Sequence, residues 1–319
     1  MPGPVDPAPI ASGILDRIGR TPMVELARLR PAGCARLLLK LESDNPTGSM
    51  KDRMALAMVD GGRRRGRLAP GGRVVEYTGG STGVSLALVC AARGHPLSIV
   101  TSDAFSLEKR RHMAALGAEV TLVPSANGGM DAALTRAMIA AADRIAADTG
   151  AYWTDQLNNA DPLPAYHALA DEIWAQTGGA VTAFVQSVGT AASVRGVAEG
   201  LRRHRPDIHV AAVEPAESAV LSGGPSGVHR IEGAGAGFVV PLWDPAVVDE
   251  IVPVSTAEAM AMARRLAREE ALFAGTSTGA NLVAALALGE RLGPDATVVT
   301  LMCDTGMKYL STPLYGGSG

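Results

Sequence analysis

The chain has 319 residues, of which 47% are hydrophobic and 19% charged, and this composition suits about two globular domains. A net charge of −3 argues against nucleic acids and anionic membranes as partners, and no apolar run approaches the ~18 residues of a membrane span. Three scattered cysteines and six dispersed histidines indicate neither a disulfide framework nor a metal site. Asp6 and several prolines stand where a signal peptide needs positive charge, so we expect a cytoplasmic protein.

Short aliphatic runs alternate with longer amphipathic stretches along the chain. The runs predict strands over Arg36–Leu41, Arg73–Tyr77, Leu97–Thr101, Glu119–Val123, Thr182–Gln186, His209–Val213 and Thr297–Leu301. The stretches predict helices over Met50–Arg65, Thr82–Arg93, Ser106–Leu116, Met130–Asp148, Pro164–Thr177, Ala191–Arg203, Ala257–Glu270 and Gly279–Arg291. This alternation predicts an α/β fold with mostly parallel sheets flanked by helices.

One pattern occurs three times: an apolar run, then a loop of Gly, Ser and Thr, then a helix. Its copies span Val74–Ala92, Ala183–Leu201 and Leu272–Leu288. Small residues let a ligand approach the backbone there, and free N–H groups at a helix start attract anions. A single copy is equally consistent with a tight turn that binds nothing and with a ligand site. Three copies in one chain favour a binding site for a ligand with phosphate and carboxylate groups. No P-loop is present, and no glycine-rich dinucleotide fingerprint is followed by a helix.

Lys51 follows the turn sequence Asn45-Pro-Thr-Gly-Ser-Met and begins a predicted helix. The positive end of the helix dipole disfavours the charged form of a lysine at this place. A lowered pKa is what a nucleophilic or Schiff-base lysine requires. A lone lysine would be read as a solvated surface residue, but the surrounding motif favours a chemical role.

The segment from Asn45 to Arg53 resembles the N-P-x-G-S-x-K-D-R signature of the cysteine synthase (O-acetylserine sulfhydrylase) and cystathionine β-synthase family. These enzymes have the tryptophan synthase β-like fold, called fold type II. Further blocks that resemble the family lie at Ile18–Leu26, Glu108–Ala118, Gly233–Phe238 and Asp304–Thr312. The resemblance therefore covers nearly the whole chain.

The resemblance implies pyridoxal 5'-phosphate as cofactor, bound to Lys51, which would also remove the substrate's Cα proton. Ser277 would face the pyridine nitrogen; a neutral hydroxyl there favours β-elimination chemistry, although a serine at a helix start is also a common N-cap. The phosphate cup would be Gly189, Thr190, Ala191, Ala192 and Ser193. The two alanines stand where the family has glycines. Because alanine adopts helical dihedrals, we expect the phosphate cup to keep its shape.

The loop TGGSTG would hold the substrate carboxylate through Thr78, Gly79, Gly80 and Thr82, with help from Gln156. Ser81 stands where the family has an asparagine that meets the cofactor. Gly79 replaces a serine, and the stretch after Gln156 has also diverged. These departures predict that O-acetylserine with sulfide is not the preferred pair of substrates.

The resemblance implies β-replacement on an activated L-serine through an aminoacrylate, with sulfide or another small nucleophile as the second substrate. β-Elimination to an oxo acid and ammonia is the alternative within the class, and a non-catalytic binding protein of the same fold is the alternative outside it. A smaller domain is expected at residues 41–155 and a larger one at 1–40 and 156–319, with the cofactor between them. A homodimer is expected as well.

Overall fold

The protein is described here by a computed structural model that covers residues 10–126 and 128–316. Residues 1–9 and 317–319 of the predicted larger domain lie outside the described residues, as does residue 127 of the smaller one. Within the described ranges, no helix has the length and apolar character needed to cross a membrane.

Strands and helices alternate through the described chain as the sequence predicts. The strands are β1 Met23–Glu25, β2 Arg36–Lys40, β3 Val74–Tyr77, β4 Leu97–Ser102, β5 Glu119–Val123, β6 Tyr152–Trp153, β7 Ala183–Ser187, β8 His209–Pro215, β9 Glu250–Val254 and β10 Thr297–Leu301. The α-helices are α1 Lys51–Arg64, α2 Ser81–Arg93, α3 Leu107–Ala115, α4 Ala132–Thr149, α5 Pro162–Gln176, α6 Ala192–His204, α7 Thr256–Glu269 and α8 Thr276–Leu292.

All seven predicted strands and all eight predicted helices are confirmed, with ends that differ by three residues at most. The sequence misses β1, β6 and β9. Strand β1 has three residues and β6 has two, and strands this short show no periodic pattern in the sequence. Strand β9 contains Pro253 and lies at a sheet edge, where proline is tolerated but weakens the strand signal.

The strands form two sheets. The larger has the order β1-β2-β10-β7-β8-β9, and all its neighbours are parallel except β1 and β2. The smaller has the order β5-β4-β3-β6 and is parallel throughout. The α/β fold with mostly parallel sheets is confirmed. The strands of the smaller sheet all fall within residues 41–155, although the domain boundaries themselves stay a prediction.

Burial of both sheet faces explains why the central strands are rich in apolar residues on both faces. Every residue of β3, β7 and β10 is buried, because helices cover both sides of each sheet. The edge strand β5 is mostly exposed and contains Glu119 and Thr121, which water can solvate.

Helix α1 begins where the two sheets meet. Ser49 forms a bridge with Asp304, and the N–H of Met50 donates to the carbonyl of Cys303 at 2.9 Å. Two residues before α1 are thereby fixed against the chain that leaves β10. Lys51, the first residue of α1, consequently faces the carboxyl ends of the parallel strands, where α/β proteins bind their ligands.

Candidate active site

A cleft with about 780 Å³ of empty space opens at the carboxyl ends of both sheets. Its walls include residues that follow β3, β6, β7 and β10, together with the starts of α1 and α8. Most of the residues predicted for the site lie on these walls: Lys51, Thr78, Gly79, Gly80, Ser81, Thr82, Gln156, Gly189, Thr190 and Ser277. Ala191, Ala192 and Ser193 do not border the cleft: Ala191 is the N-cap of α6, and Ala192 and Ser193 are its first two residues.

Lys51 is partly buried and borders the cleft. Burial lowers the pKa of its amine below the ordinary lysine value, and the positive charge of Lys109 lowers it further, while Cys303 and Asp304 oppose the shift. The helix dipole at the start of α1 acts in the same direction as burial. A lysine with a lowered pKa has more of the neutral amine that attacks a carbonyl carbon.

Buried ion pairs fix the start of α1. Arg53 donates to Glu42 and to Glu172, each at 2.8 Å, and Lys40 donates to the same Glu172 at 2.7 Å. Although burial opposes it, these cations lower the pKa of Glu172 to about 2. Asp52 accepts a 2.8 Å hydrogen bond from the N–H of Thr47. The motif residues beside Lys51 therefore anchor its helix and leave the lysine itself to face the cleft.

The loop between β3 and α2 presents free N–H groups to the cleft. Thr78 Oγ1 accepts hydrogen bonds from the N–H groups of Gly80, at 2.9 Å, and Gly83, at 3.3 Å, which leaves its hydroxyl proton to donate. No hydrogen bond among the described residues uses the N–H groups of Gly79, Ser81 or Thr82. Several donors that converge at a helix start suit a single carboxylate.

Gln156 is held rigidly beside this loop. Its amide donates to the carbonyl of Tyr77 at 2.6 Å and accepts from Thr82 Oγ1 at 2.9 Å. Its backbone N–H donates to Glu76, a buried carboxylate that also accepts from Thr154 at 2.6 Å. Burial raises the pKa of Glu76 to about 7 in spite of these donors. Glu76, which lies in the apolar run of β3 and positions Gln156, could not be predicted from the sequence.

Ser81 borders the cleft, but its hydroxyl is already engaged. Ser81 Oγ donates to Asp304 Oδ2 at 2.8 Å, and the same oxygen accepts from the hydroxyl of Tyr309 at 2.8 Å. Toward a ligand, Ser81 can therefore offer only the lone pairs of its oxygen. The predicted contact of Ser81 with a cofactor stays a prediction.

The loop between β7 and α6 approaches another backbone closely. A Cβ atom on Gly189 would lie 2.3 Å from the carbonyl oxygen of Gly233, so only glycine fits. Ala192 begins α6 with helical dihedrals, as expected, but Ala191 has φ +67° and is left-handed. The expectation that both alanines are helical is therefore wrong for Ala191. A left-handed alanine costs about 1–2 kcal/mol, and such strain is typical of ligand-binding turns.

Ser277 is the second residue of α8 and is buried on the cleft wall. The N-cap of this helix is Gly275, so the reading of Ser277 as a cap is wrong. Cys303 is buried, and it also borders the cleft beside Lys51.

The residues present fit pyridoxal phosphate. Lys51 supplies an amine of lowered pKa, the strained turn at Gly189 and Ala191 supplies a backbone cradle for the phosphate, and Ser277 supplies a neutral hydroxyl on the wall of the same cleft. The N–H groups of Ala191 and Ser193 form no hydrogen bond with another described residue, which leaves them available to an anion.

A charged cluster on the cleft wall was also not predicted from the sequence. Lys109 and Glu232 form an ion pair of 2.6 Å, and both border the cleft together with Asp304. One signal in the sequence could have identified Lys109: the chain has only four lysines against 25 arginines. In such a chain each lysine stands out as a candidate functional residue.

Comparisons of the sequence and of the structure with known proteins find similar proteins. The family described as "Pyridoxal-phosphate dependent enzyme" matches residues 14–304. A cysteine synthase of Staphylococcus aureus is 38% identical over 301 residues, which cover 93% of this chain and 95% of that protein.

Two solved structures are also similar. The crystal structure of O-ureido-L-serine synthase has a TM-score of 0.90 and 36% identity, covering 98% of this chain and 97% of that one. That of an O-acetylserine dependent cystathionine beta-synthase from Helicobacter pylori has a TM-score of 0.89 and 33% identity, covering 97% and 100%.

Proposed function

The chain belongs to the family of pyridoxal-phosphate dependent enzymes, and we propose that it catalyses β-replacement on an activated L-serine with a small nucleophile as second substrate. The observation that carries this proposal is the cleft itself. Lys51, an amine of lowered pKa, borders the same cleft as two loops that offer backbone N–H groups, one before α2 and one before α6. The chemistry named for the similar proteins, cysteine synthase and O-ureido-L-serine synthase, supports it.

Pyridoxal phosphate, when bound, withdraws electrons from the substrate's Cα and so allows the β-substituent to leave. Lys51 holds the cofactor between turnovers, and its free amine then takes the proton from Cα. The turn before α6 holds the phosphate through backbone N–H groups and the hydroxyl of Thr190. This set comprises Gly189, Thr190, Ala191, Ala192 and Ser193.

The substrate carboxylate is bound by the loop before α2. Its N–H groups and the hydroxyl proton of Thr78 are the donors, and Gln156 fixes the loop from the side through Thr82. Ser277 offers a neutral hydroxyl to the ring nitrogen of the cofactor. A hydroxyl does not keep that nitrogen protonated as a carboxylate would, which favours loss of the β-substituent over transamination.

We also propose a homodimer in the cytoplasm, with a smaller domain at residues 41–155 and a larger one formed by the remainder. The three cysteines, all unpaired and buried, suit a reducing compartment. Light scattering of the purified protein tests the dimer, and a monomer at micromolar concentration would contradict it.

Absorbance and product analysis test the proposed reaction. The purified protein loaded with pyridoxal phosphate should absorb in the visible range, borohydride should trap the cofactor, and peptide mapping should find it on Lys51. Lys51→Ala protein should show neither the trapped peptide nor turnover. Trapping on Lys40 or Lys308 instead would show that the assignment is wrong.

The products of a substrate screen separate the alternatives. O-Acetylserine, O-phosphoserine and serine are each supplied with sulfide and with several thiols. A thioether or cysteine product supports β-replacement. An oxo acid and ammonia as the only products indicate β-elimination, and no product from any combination indicates a binding protein.

A further inference from the structure

Glu76 is a buried carboxylate next to the loop that we assign to the substrate carboxylate. It is the third residue of β3 and stands two positions before Thr78, with none of its surface exposed. All four of its hydrogen-bond partners are uncharged donors, and none of the salt bridges in the described part of the chain includes it. A buried carboxylate without a cation is stabilised by hydrogen bonds alone, so the ionised form of Glu76 depends on these four donors.

Each oxygen of the Glu76 carboxylate accepts two hydrogen bonds. Oε1 accepts from the N–H of Tyr77 at 2.9 Å and from the indole N–H of Trp153 at 3.3 Å. Oε2 accepts from the hydroxyl of Thr154 at 2.6 Å and from the N–H of Gln156 at 3.0 Å. Glu76 therefore joins the end of β3 to the segment that follows β6.

The segment held by Glu76 in turn holds the loop before α2. The side chain of Gln156 donates to the carbonyl of Tyr77 at 2.6 Å and accepts from Thr82 Oγ1 at 2.9 Å. Thr82 is the second residue of α2 and borders the cleft together with the rest of that loop. Glu76 itself does not border the cleft, so its influence on a ligand passes through Gln156.

Protonation of Glu76 changes which of these hydrogen bonds can form. A proton on Oε1 would point at two N–H groups, neither of which accepts a hydrogen bond. A proton on Oε2 can be accepted by Thr154, because a hydroxyl both donates and accepts. The bond from the N–H of Gln156 then ends on a neutral carboxyl group and loses the added strength of a charged acceptor. Neutral Glu76 therefore holds Gln156 more weakly than ionised Glu76 does.

The groups around Glu76 leave it as the side chain that changes charge. Burial raises its pKa to about 7, while its four donors oppose the shift. Strand β4 and the buried residues of α4 carry no titratable side chain, and the charged residues of α2 and α4 are exposed. Burial raises the pKa values of Tyr77, Tyr152 and Cys90, so all three stay protonated around neutral pH. Asp155, after β6, accepts hydrogen bonds from the side chain of its neighbour three residues on.

We propose that Glu76 is a positioning residue for the substrate carboxylate: its ionised form fixes Gln156 and the loop before α2 in the arrangement that binds an amino acid, and its protonation weakens that binding. This inference rests on the proposed function, because it takes that loop as the site of the substrate carboxylate. The binding-competent form is the deprotonated one, so affinity for the amino acid should fall as the pH falls through about 7.

The affinity for an amino acid at two pH values tests this role. The loaded enzyme is titrated with L-alanine, which has no leaving group, and binding is followed by the visible absorbance of the cofactor. The amine of L-alanine titrates equally for every variant, so the dissociation constant of wild type is divided by that of Glu76→Gln protein at the same pH. This ratio should be about fivefold lower at pH 8 than at pH 6, because a charged acceptor makes a hydrogen bond about twice as strong.

A ratio that does not change with pH would overturn the inference. Glu290→Gln is the matched control, because it neutralises a carboxylate that is exposed on α8. This control should bind L-alanine as wild type does at both pH values.

Thr154→Val separates positioning by a titrating group from a contribution to folding alone. The substitution removes one donor to the ionised carboxylate, so the midpoint of the pH dependence should move upward by about one pH unit. Thr149→Val, which removes an exposed hydroxyl on α4, is its control and should leave the midpoint in place. An unmoved midpoint in folded Thr154→Val protein would overturn the inference.

Fluorescence of Trp153 reports the protonation of Glu76 without turnover. Its indole N–H donates to Oε1, so the emission of wild type minus that of Trp153→Phe protein should titrate near pH 7. In the Glu76→Gln background the same difference should not change with pH. Because linkage is reciprocal, saturating L-alanine should lower the midpoint by about 0.7 pH unit, the logarithm of a fivefold change in affinity. A midpoint that L-alanine does not move would overturn the inference.

Turnover distinguishes failure of this inference from failure of the proposed function. Glu76→Gln should raise KM for O-acetylserine about fivefold at pH 8 and leave kcat unchanged. If wild type forms a β-replacement product while the L-alanine ratio is independent of pH, the inference fails and the proposed function stands. If no combination of substrates gives a product, the proposed function fails, and the L-alanine and Trp153 measurements still decide whether Glu76 controls the loop.

Discussion

Lys308 is a buried cation whose removal should change how stability depends on pH. It lies in the short turn after β10, is 4% exposed, and its amine has no hydrogen-bond partner among the described residues. Burial lowers its pKa to about 8; Lys109 and Lys51 act in the same direction, while Asp304 and Asp52 oppose them.

The magnitude follows from proton linkage. The ordinary pKa of lysine, 10.5, applies to the unfolded chain, so the folded value lies about 2.5 units lower. At 1.36 kcal/mol for each unit, Lys308 destabilises the folded protein by about 3 kcal/mol below pH 8. Between pH 8 and 10.5 the unfolded chain binds the proton and the folded one does not. The stability contributed at this site therefore rises as the pH rises.

Lys308→Met removes this titration, and urea unfolding at several pH values measures the consequence. The difference in unfolding free energy, variant minus wild type, should fall by about 2–3 kcal/mol between pH 7 and pH 10. Its change with pH does not depend on how well methionine packs, because packing contributes equally at every pH. Lys308→Arg is the control: arginine stays charged, so this variant should lose stability relative to wild type by a similar amount over the same range. Parallel pH profiles for wild type and Lys308→Met would refute the reasoning.

Three further variants test the proposed cofactor and substrate contacts. Ser277→Asp should slow loss of the β-substituent while the cofactor stays bound, because a carboxylate keeps the ring nitrogen protonated; full activity with bound cofactor would contradict this role. Gly189→Ala should destabilise the protein by about 1–3 kcal/mol and weaken cofactor binding, because its Cβ would lie 2.3 Å from the carbonyl oxygen of Gly233. Gly13→Ala is the control, since nothing lies within 4 Å of a Cβ at that position. Equal melting temperatures for the two variants would refute the close contact. The double variant Gly79→Ser/Ser81→Asn should raise kcat/KM for O-acetylserine with sulfide by about tenfold. The reasoning is wrong if the wild type already prefers this pair and the double variant does not raise its kcat/KM.

The segments with strong local patterns could be predicted from the sequence. Strands such as β7 and β10 carry apolar residues on both faces because both sheet faces are covered, and this pattern is visible without any knowledge of the fold. The place of Lys51 at the start of a helix also follows from local turn and helix signals. Gly79 and Gln156, although far apart in the chain, could be predicted as neighbours of Lys51 only through the family resemblance.

Contacts between distant segments were decided by the tertiary structure alone. Only glycine fits at position 189 because the carbonyl oxygen of Gly233 faces it, and no local pattern reports that contact. The pairing of Lys109 with Glu232 joins residues 123 positions apart. The scarcity of lysine was visible in the sequence, and all four lysines are buried or partly buried in the structure. Which carboxylate each one meets depends on how the two sheets pack, because a charge withdrawn from water is stabilised only by the groups that the fold brings next to it.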